Sequence, residues 1–161
     1  MKLFLSCAAA LVLADQLSKQ SVLSMLQPGD VKPVCTGLNI VLRFNRGGAF
    51  SMLQDQPVLA LGLKLLIVGL LTIWLVRVRG RLSSDRWDAV ALALVWGGAL
   101  GNISDLAFRG PAFFQGAVID FVDLYYGSWH FAAFNVADAA ICTGVALLLL
   151  RRGVCFRNEA H

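Results

Sequence analysis

Charge is scarce in this chain. Asp, Glu, Lys and Arg make up 15% of its 161 residues, against roughly 25% in an ordinary soluble domain. Glutamate is almost missing, with Glu159 alone beside nine aspartates, and short carboxylates in such excess hint at groups that must hold geometry. Histidine is confined to His130 and His161, far from any paired cysteines, so no metal ligand set is expected and no cofactor is implied. No stretch interleaves basic and aromatic residues in the manner of an RNA-binding surface, so nucleic acid is not an expected partner. What the chain has in abundance is apolar residues, 58% of the total, with a mean hydropathy of +0.70. That excess calls for a solvent other than water, and four membrane helices of about 20 residues each would take up half of the chain. An independent soluble domain is thereby excluded.

The long apolar runs place spans at about 3–22, 57–76, 87–106 and 131–150, with Pro57 suited to the first turn of the second. The expected fold is a mainly α membrane protein, one integral-membrane unit over residues 1–161, with four transmembrane helices and a small extracytoplasmic sheet. Basic residues cluster at Lys2, at Arg77, Arg79, Arg81 and Arg86, and at Arg151, Arg152 and Arg157. The longer segments on the other side hold only Lys32, Arg43, Arg46 and Arg109. Because Lys and Arg near span ends resist translocation, both termini are expected in the cytoplasm, and the net charge of +4 reflects topology and lipid headgroups. Met1-Lys2 and the apolar run after it also fit a cleaved signal, and Cys7 within LFLSC mimics a lipoprotein box, but too few residues precede it. In the four-span topology only Cys35 faces an oxidising compartment, so no intramolecular disulfide is expected.

Ionisable groups in hydrocarbon are costly and point to function. Asp15, Lys64, Asn102, Asp105 and Asp138 fall at nearly one depth, roughly 18 to 24 Å above the cytoplasmic ends at 1.5 Å per residue. Asp15 and Lys19 are spaced i,i+4 in the favourable order for a helical ion pair, while Lys64 could equally snorkel outward. Asn102 and Asp105 share a face of the third helix, and Gly97 and Gly101 form a GxxxG spacing that allows close backbone approach.

Outside the spans, Gly37–Phe44 and Gly116–Tyr126 read as strands, and Asn45-Arg46-Gly47-Gly48 as a turn. The glycines there could serve an ordinary hairpin or let a peptide backbone lie close. Asp120 stands between Ile119 and Phe121, and the chain from it to Asp138 returns to the membrane, so the two carboxylates could meet at the outer boundary. Two apposed carboxylates share one proton, the arrangement of aspartic proteases.

Five ordered blocks then carry a family likeness: DQLSK (Asp15 to Lys19), NRGGAF (Asn45 to Phe50), GGALGNISD (Gly97 to Asp105), VIDF (Val118 to Phe121) and FNVADAAI (Phe134 to Ile141). Together they resemble bacterial lipoprotein signal peptidase, the signal peptidase II family, over nearly the whole chain. The resemblance implies an inner-membrane aspartyl endopeptidase with a periplasmic β-cradle and a site near the outer face. It would cut diacylglyceryl-modified prolipoproteins just before the lipidated cysteine, work as a monomer among membrane lipids and be inhibited by globomycin. It implies Asp120 and Asp138 as catalytic residues, and Asp15, Lys19, Asn45, Gly47, Asn102, Asp105, Asn135 and Ala137 as substrate-supporting residues.

At one place the chain departs from the family pattern GNxxDR, where Leu106 replaces the arginine and the connection Ala107–Gln115 is longer. A cation for Asp105 is then expected from Arg109 or from Lys64. The departure leaves open a weakened paralogue that binds lipidated peptides without cutting. A small proton-coupled transporter component is the other alternative, although no inverted repeat is visible.

Overall fold

The first apolar run folds as helix α1, Lys2–Met25, and stops at a local signal. Leu26 is already extended although its N–H still reaches Val22 O at 2.9 Å, and Pro28 bars the helical region to Gln27. The structure, a computed structural model, describes residues 1–46, 56–78 and 86–158.

Strands β1 (Val31–Cys35) and β2 (Leu38–Asn45) follow as an antiparallel pair. Their turn is Thr36-Gly37, with Gly37 at φ +88°, a conformation that disfavours a side chain. Gly47 and Gly48 of the turn expected after Asn45 lie outside the described residues. Strand β1 is an edge, the position where Pro33 costs no ladder bond.

Strand β3 (Val118–Tyr126) pairs antiparallel with β2 and faces β4 (Trp129–His130) on its other side, so the sheet order is β1-β2-β3-β4. The expected strands thus begin at Leu38 and Val118. The β2–β3 register sets Arg43 opposite Asp120 and Asn39 opposite Asp123, with an irregularity between Ile40 and Arg43.

Helices α2 (Pro57–Val78), α3 (Arg86–Phe108) and α4 (Val136–Asn158) complete the chain. The fourth helix was expected from residue 131 and instead starts at Val136. Phe134 bridges to Val122 as an extension of the sheet, and Asn135 caps the helix. Its Oδ1 accepts from Asp138 N at 2.9 Å while Asp138 Oδ2 accepts from Asn135 N at 3.2 Å. This is a capping box built from Asn and Asp, and it outweighs the apolar pattern of Phe131–Phe134.

Helix α3 lies between α1 and α4, and small residues let it do so. A Cβ on Gly97 would stand 3.0 Å from Ala8 O of α1, and one on Gly98 only 2.5 Å from Ala137 O of α4. Gly144 of α4 approaches Ala91 O in the same way. Such close backbones gain packing and exclude larger side chains. At the far end Arg151 Nε pairs with Asp88 Oδ1 at 2.9 Å, fastening the end of α4 to the start of α3. Phe4, Ala8, Ala89, Leu92 and Ala93 fill the α1–α3 seam, and Val22, Leu42, Ile119 and Phe121 join α1 to the sheet. Among the described residues, α3 is the one helix long and apolar enough to cross a membrane by length and composition.

Candidate active site

Where the tops of α1, α3 and α4 meet the sheet, a polar cluster occupies ground that apolar packing would otherwise fill. Its base is an ion pair. Lys19 Nζ lies 2.7 Å from Asp15 Oδ2, one turn back on α1, and all three of its protons find acceptors: Asp15, Asp105 Oδ2 at 2.6 Å and Asn102 Oδ1 at 2.9 Å. Lys19, Asp15 and Asp105 are wholly buried. The carboxylate of Asp15 fits there because position 101 is glycine; a Cβ on Gly101 would stand 2.6 Å from Asp15 Oδ2.

The surplus negative charge is met by Arg109, whose Nε lies 2.7 Å from Asp105 Oδ1. Arg109 stands one turn after Asp105, just beyond the end of α3, and its guanidinium also reaches Gln16 Oε1 at 3.0 Å and Gln20 Oε1 at 3.3 Å. Two buried acids are thus matched by two cations. Of the two expected donors for Asp105, Arg109 takes the place, and Lys19 joins it. The side chain of Lys64 and the whole of Gly47 lie outside the described residues.

Asp15 Oδ1 accepts from Ala137 N at 3.0 Å, so an acid on α1 satisfies one of the free N–H groups at the start of α4. Asn102 passes the arrangement upward: its Oδ1 is held by Lys19, and its Nδ2 donates to Asp138 Oδ1 at 2.8 Å. Asp138 sits in the first turn of α4, where the helix dipole favours a carboxylate. Asp120, on β3, accepts from Asn135 Nδ2 at 2.7 Å on Oδ1 and from Asn45 Nδ2 at 2.9 Å on Oδ2. Asn135 therefore touches both acids, through its amide to Asp120 and its backbone N–H to Asp138.

The expected residues come together with one distinction of place. Asp138 and Asn45 are half-buried and Asp120, although buried, lines a cavity, whereas Asp15, Lys19, Asp105 and Ala137 are fully buried behind them and bond chiefly to one another. Asn135, equally buried, bonds to both acids. Gln16 escaped the sequence reading, yet its Nε2 donates to Asp105 Oδ1 at 3.1 Å and to Gly101 O at 3.0 Å. Its position beside Asp15 in a helix was the available signal.

Burial pushes the Asp120 carboxyl up to about 6, with the Asn45 bond opposing, the Asp138 charge adding, and Asn135 opposing again. Three residues on, burial would also raise Asp123, but hydrogen bonds from Asn39 and His130 outweigh it and hold that acid below the ordinary range. Since the folded protein keeps a proton on Asp120 that the unfolded chain releases near pH 3.8, stability falls as pH rises from about 4 to about 6 and stays lower above. Asp120→Asn removes that penalty. Relative to the wild type, its stability is expected to rise by about 2 to 3 kcal/mol between about pH 4 and about pH 7.5, read as the difference in thermal midpoints in detergent.

A family model described as Signal peptidase (SPase) II matches residues 7–153. The chain is 40% identical to a lipoprotein signal peptidase of Polynucleobacter necessarius subsp. necessarius (strain STIR1), with 98% of this chain and 95% of the relative covered. It is also 40% identical to one from Azoarcus sp. (strain BH72), over 91% of this chain and 80% of that protein. A solved structure described as a bacterial membrane enzyme superposes with a TM-score of 0.83 at 26% identity, covering 99% of this chain and 92% of its own.

Proposed function

The chain belongs to the signal peptidase II family, peptidases that remove signal peptides from prolipoproteins, and from that premise we propose that it does so as an intramembrane aspartyl endopeptidase with Asp120 and Asp138 as the catalytic pair. The observation that carries this reading is the double contact of Asn135, which brings a carboxylate from β3 and one from α4 to a single residue, the first at its side-chain amide and the second at its backbone N–H.

The pair shares one proton and titrates as a unit. Its anionic member takes a proton from water as the water oxygen attacks the scissile carbonyl carbon, while the protonated member gives its proton to the carbonyl oxygen. As the tetrahedral intermediate collapses, the C–N bond breaks, the leaving amine takes the proton gained from water, and the hydroxyl formed from the carbonyl oxygen returns its proton to the second acid as the new carboxyl group forms. Asn102 and Asn135 orient the acids, and the buried Asp15–Lys19–Asp105–Arg109 group holds Asn102 in place. With Asp105 served by Arg109, the departure at Leu106 no longer argues for a protein that only binds.

The substrate in this reading is a diacylglyceryl-modified prolipoprotein cut before its lipidated cysteine. The enzyme is a single unit in the inner membrane, with four spans, both termini cytoplasmic and the sheet outside. Support comes from the basic clusters beyond α2 and α4 and from the large apolar side chains left exposed around the helices, among them Leu13, Leu17, Leu66, Leu70 and Leu149, which in water would be a liability. Purified protein in detergent is expected to shorten a diacylglyceryl-modified prolipoprotein on a gel, to leave the unlipidated precursor intact and to be blocked by globomycin. Folded protein that bound the lipidated precursor without cutting it would overturn the proposal.

A further inference from the structure

Beside the acid pair, on the sheet side, lies a cavity of about 700 Å³ with Asp120 in its wall. The rest of the lining comes from three segments: Pro28-Gly29 after α1, Leu42–Asn45 of β2, and His130–Ala133 before α4. These segments belong to the sheet and to the connections that join it to α1 and α4. With the helices available to the apolar signal segment, the cavity at the sheet is where the polar chain beyond the cut finds room beside Asp120.

Among the described residues lining this space, Arg43 is the one permanent cation and Asp120 the one carboxylate, and both Asp120 oxygens are engaged by Asn45 and Asn135. Arg43, set opposite Asp120 in the β2–β3 register, is exposed and lines the cavity. Among the described residues no carboxylate forms an ion pair with it. Asp123 lies near enough to feel its charge, but the Asp123 oxygens are bonded to Asn39 Nδ2 at 2.9 Å and His130 Nδ1 at 2.9 Å. His130 therefore occupies the acid that would otherwise draw Arg43 away from the cavity.

We propose that this cavity receives the first residues of the mature chain, those after the lipidated cysteine, and that Arg43 makes it a subsite favouring an acidic side chain there. The proposal rests on the peptidase reading above and adds a substrate preference to it. Arg43 offers a planar, permanently charged fork that fits a carboxylate, in a recess where solvent screens less than on an open surface. A lysine in the same place would meet a like charge, and specificity comes as much from that repulsion as from the attraction.

The test uses full-length protein in zwitterionic detergent free of anionic lipid. Diacylglyceryl-modified prolipoproteins differ only by Asp, Asn or Lys at one of the first three mature positions. At the best position kcat/KM is expected to favour Asp over Asn by about fivefold and Asp over Lys by about tenfold or more. Arg43→Gln should bring the three substrates within about twofold of one another, and Arg43→Glu should reverse the order. In the wild type, raising salt from about 50 to about 500 mM should shrink the Asp-to-Lys ratio, a reading that needs no variant to fold. Equal rates for all three substrates, or a preference unchanged in Arg43→Gln, would overturn the subsite while leaving the peptidase reading intact. Failure to cut any lipidated substrate would instead overturn that reading and the subsite with it.

Discussion

Asp120→Asn and Asp138→Asn are each expected to lower kcat for prolipoprotein cleavage by about 1,000-fold or more, the scale of a lost general acid or base. Asparagine keeps the shape of each side chain but only one acceptor oxygen, so one of the two donors at each acid keeps its partner while the other meets an NH2 group, and it can neither hold nor deliver the shared proton. The acids act as one unit, so the double variant should be scarcely worse than either single one. Loss of folding is a separate quantity, since Asp120→Asn is expected to gain on the wild type in stability as pH rises toward neutral. A gel-shift time course paired with thermal midpoints separates the two quantities. Retention of more than about a tenth of the wild-type rate in either variant would remove that residue from the chemistry.

Lys19→Met should carry the largest cost in stability. It strips the ammonium from Asp15 and Asp105, both fully buried, and leaves Arg109 as the sole cation for two acids. Breaking such a buried pair from one side costs about 3 to 5 kcal/mol, mostly as the penalty for the stranded charge. The double variant Lys19→Met with Asp15→Asn restores the count, because Asp105 keeps Arg109 at 2.7 Å and an asparagine can still accept from Ala137 N. Its thermal midpoint should lie above that of Lys19→Met alone, the non-additivity expected of contacting residues. A double variant that fell further would show that the cost lies in packing rather than in charge.

The parts of the fold legible in the sequence were those written in local pattern. Runs of apolar residues gave α1, α2 and α3 to within a few residues, and alternation with turn signals gave β2 and β3. The start of α4 was misplaced because apolar Phe131–Phe134 continues the run, whereas the bonds between Asn135 and Asp138 decide where the helix begins. Strand β1, fully exposed and carrying Lys32 and Pro33, offers no periodicity to read, and β4 is two residues long.

The site divides in the same way. That Asp15 and Lys19 would pair followed from a spacing of four residues, since one helical turn fixes that distance. That Lys19 also holds Asp105 and Asn102 did not follow, because those residues are more than eighty positions away and arrive only when α3 packs against α1 through Gly97 and Gly101. The sequence left the partner of Asp105 open between Arg109 and another donor such as Lys64; Arg109, one turn beyond Asp105 at the end of α3, reaches it, and the side chain of Lys64 lies outside the described residues. Sequence by itself determined the membrane-like composition and the course of the helices, which depend on residue type and near-neighbour spacing, and it carried the family likeness from which Asp120 and Asp138 were expected as a pair. Tertiary structure decided that Asn135 joins the acids, that the other charged groups neutralise one another behind them, and that Arg43 faces the cavity beside Asp120. Those outcomes depend on directional hydrogen bonds between distant segments, whose partners are fixed only once glycine-lined helices and a register of strands have set the distances.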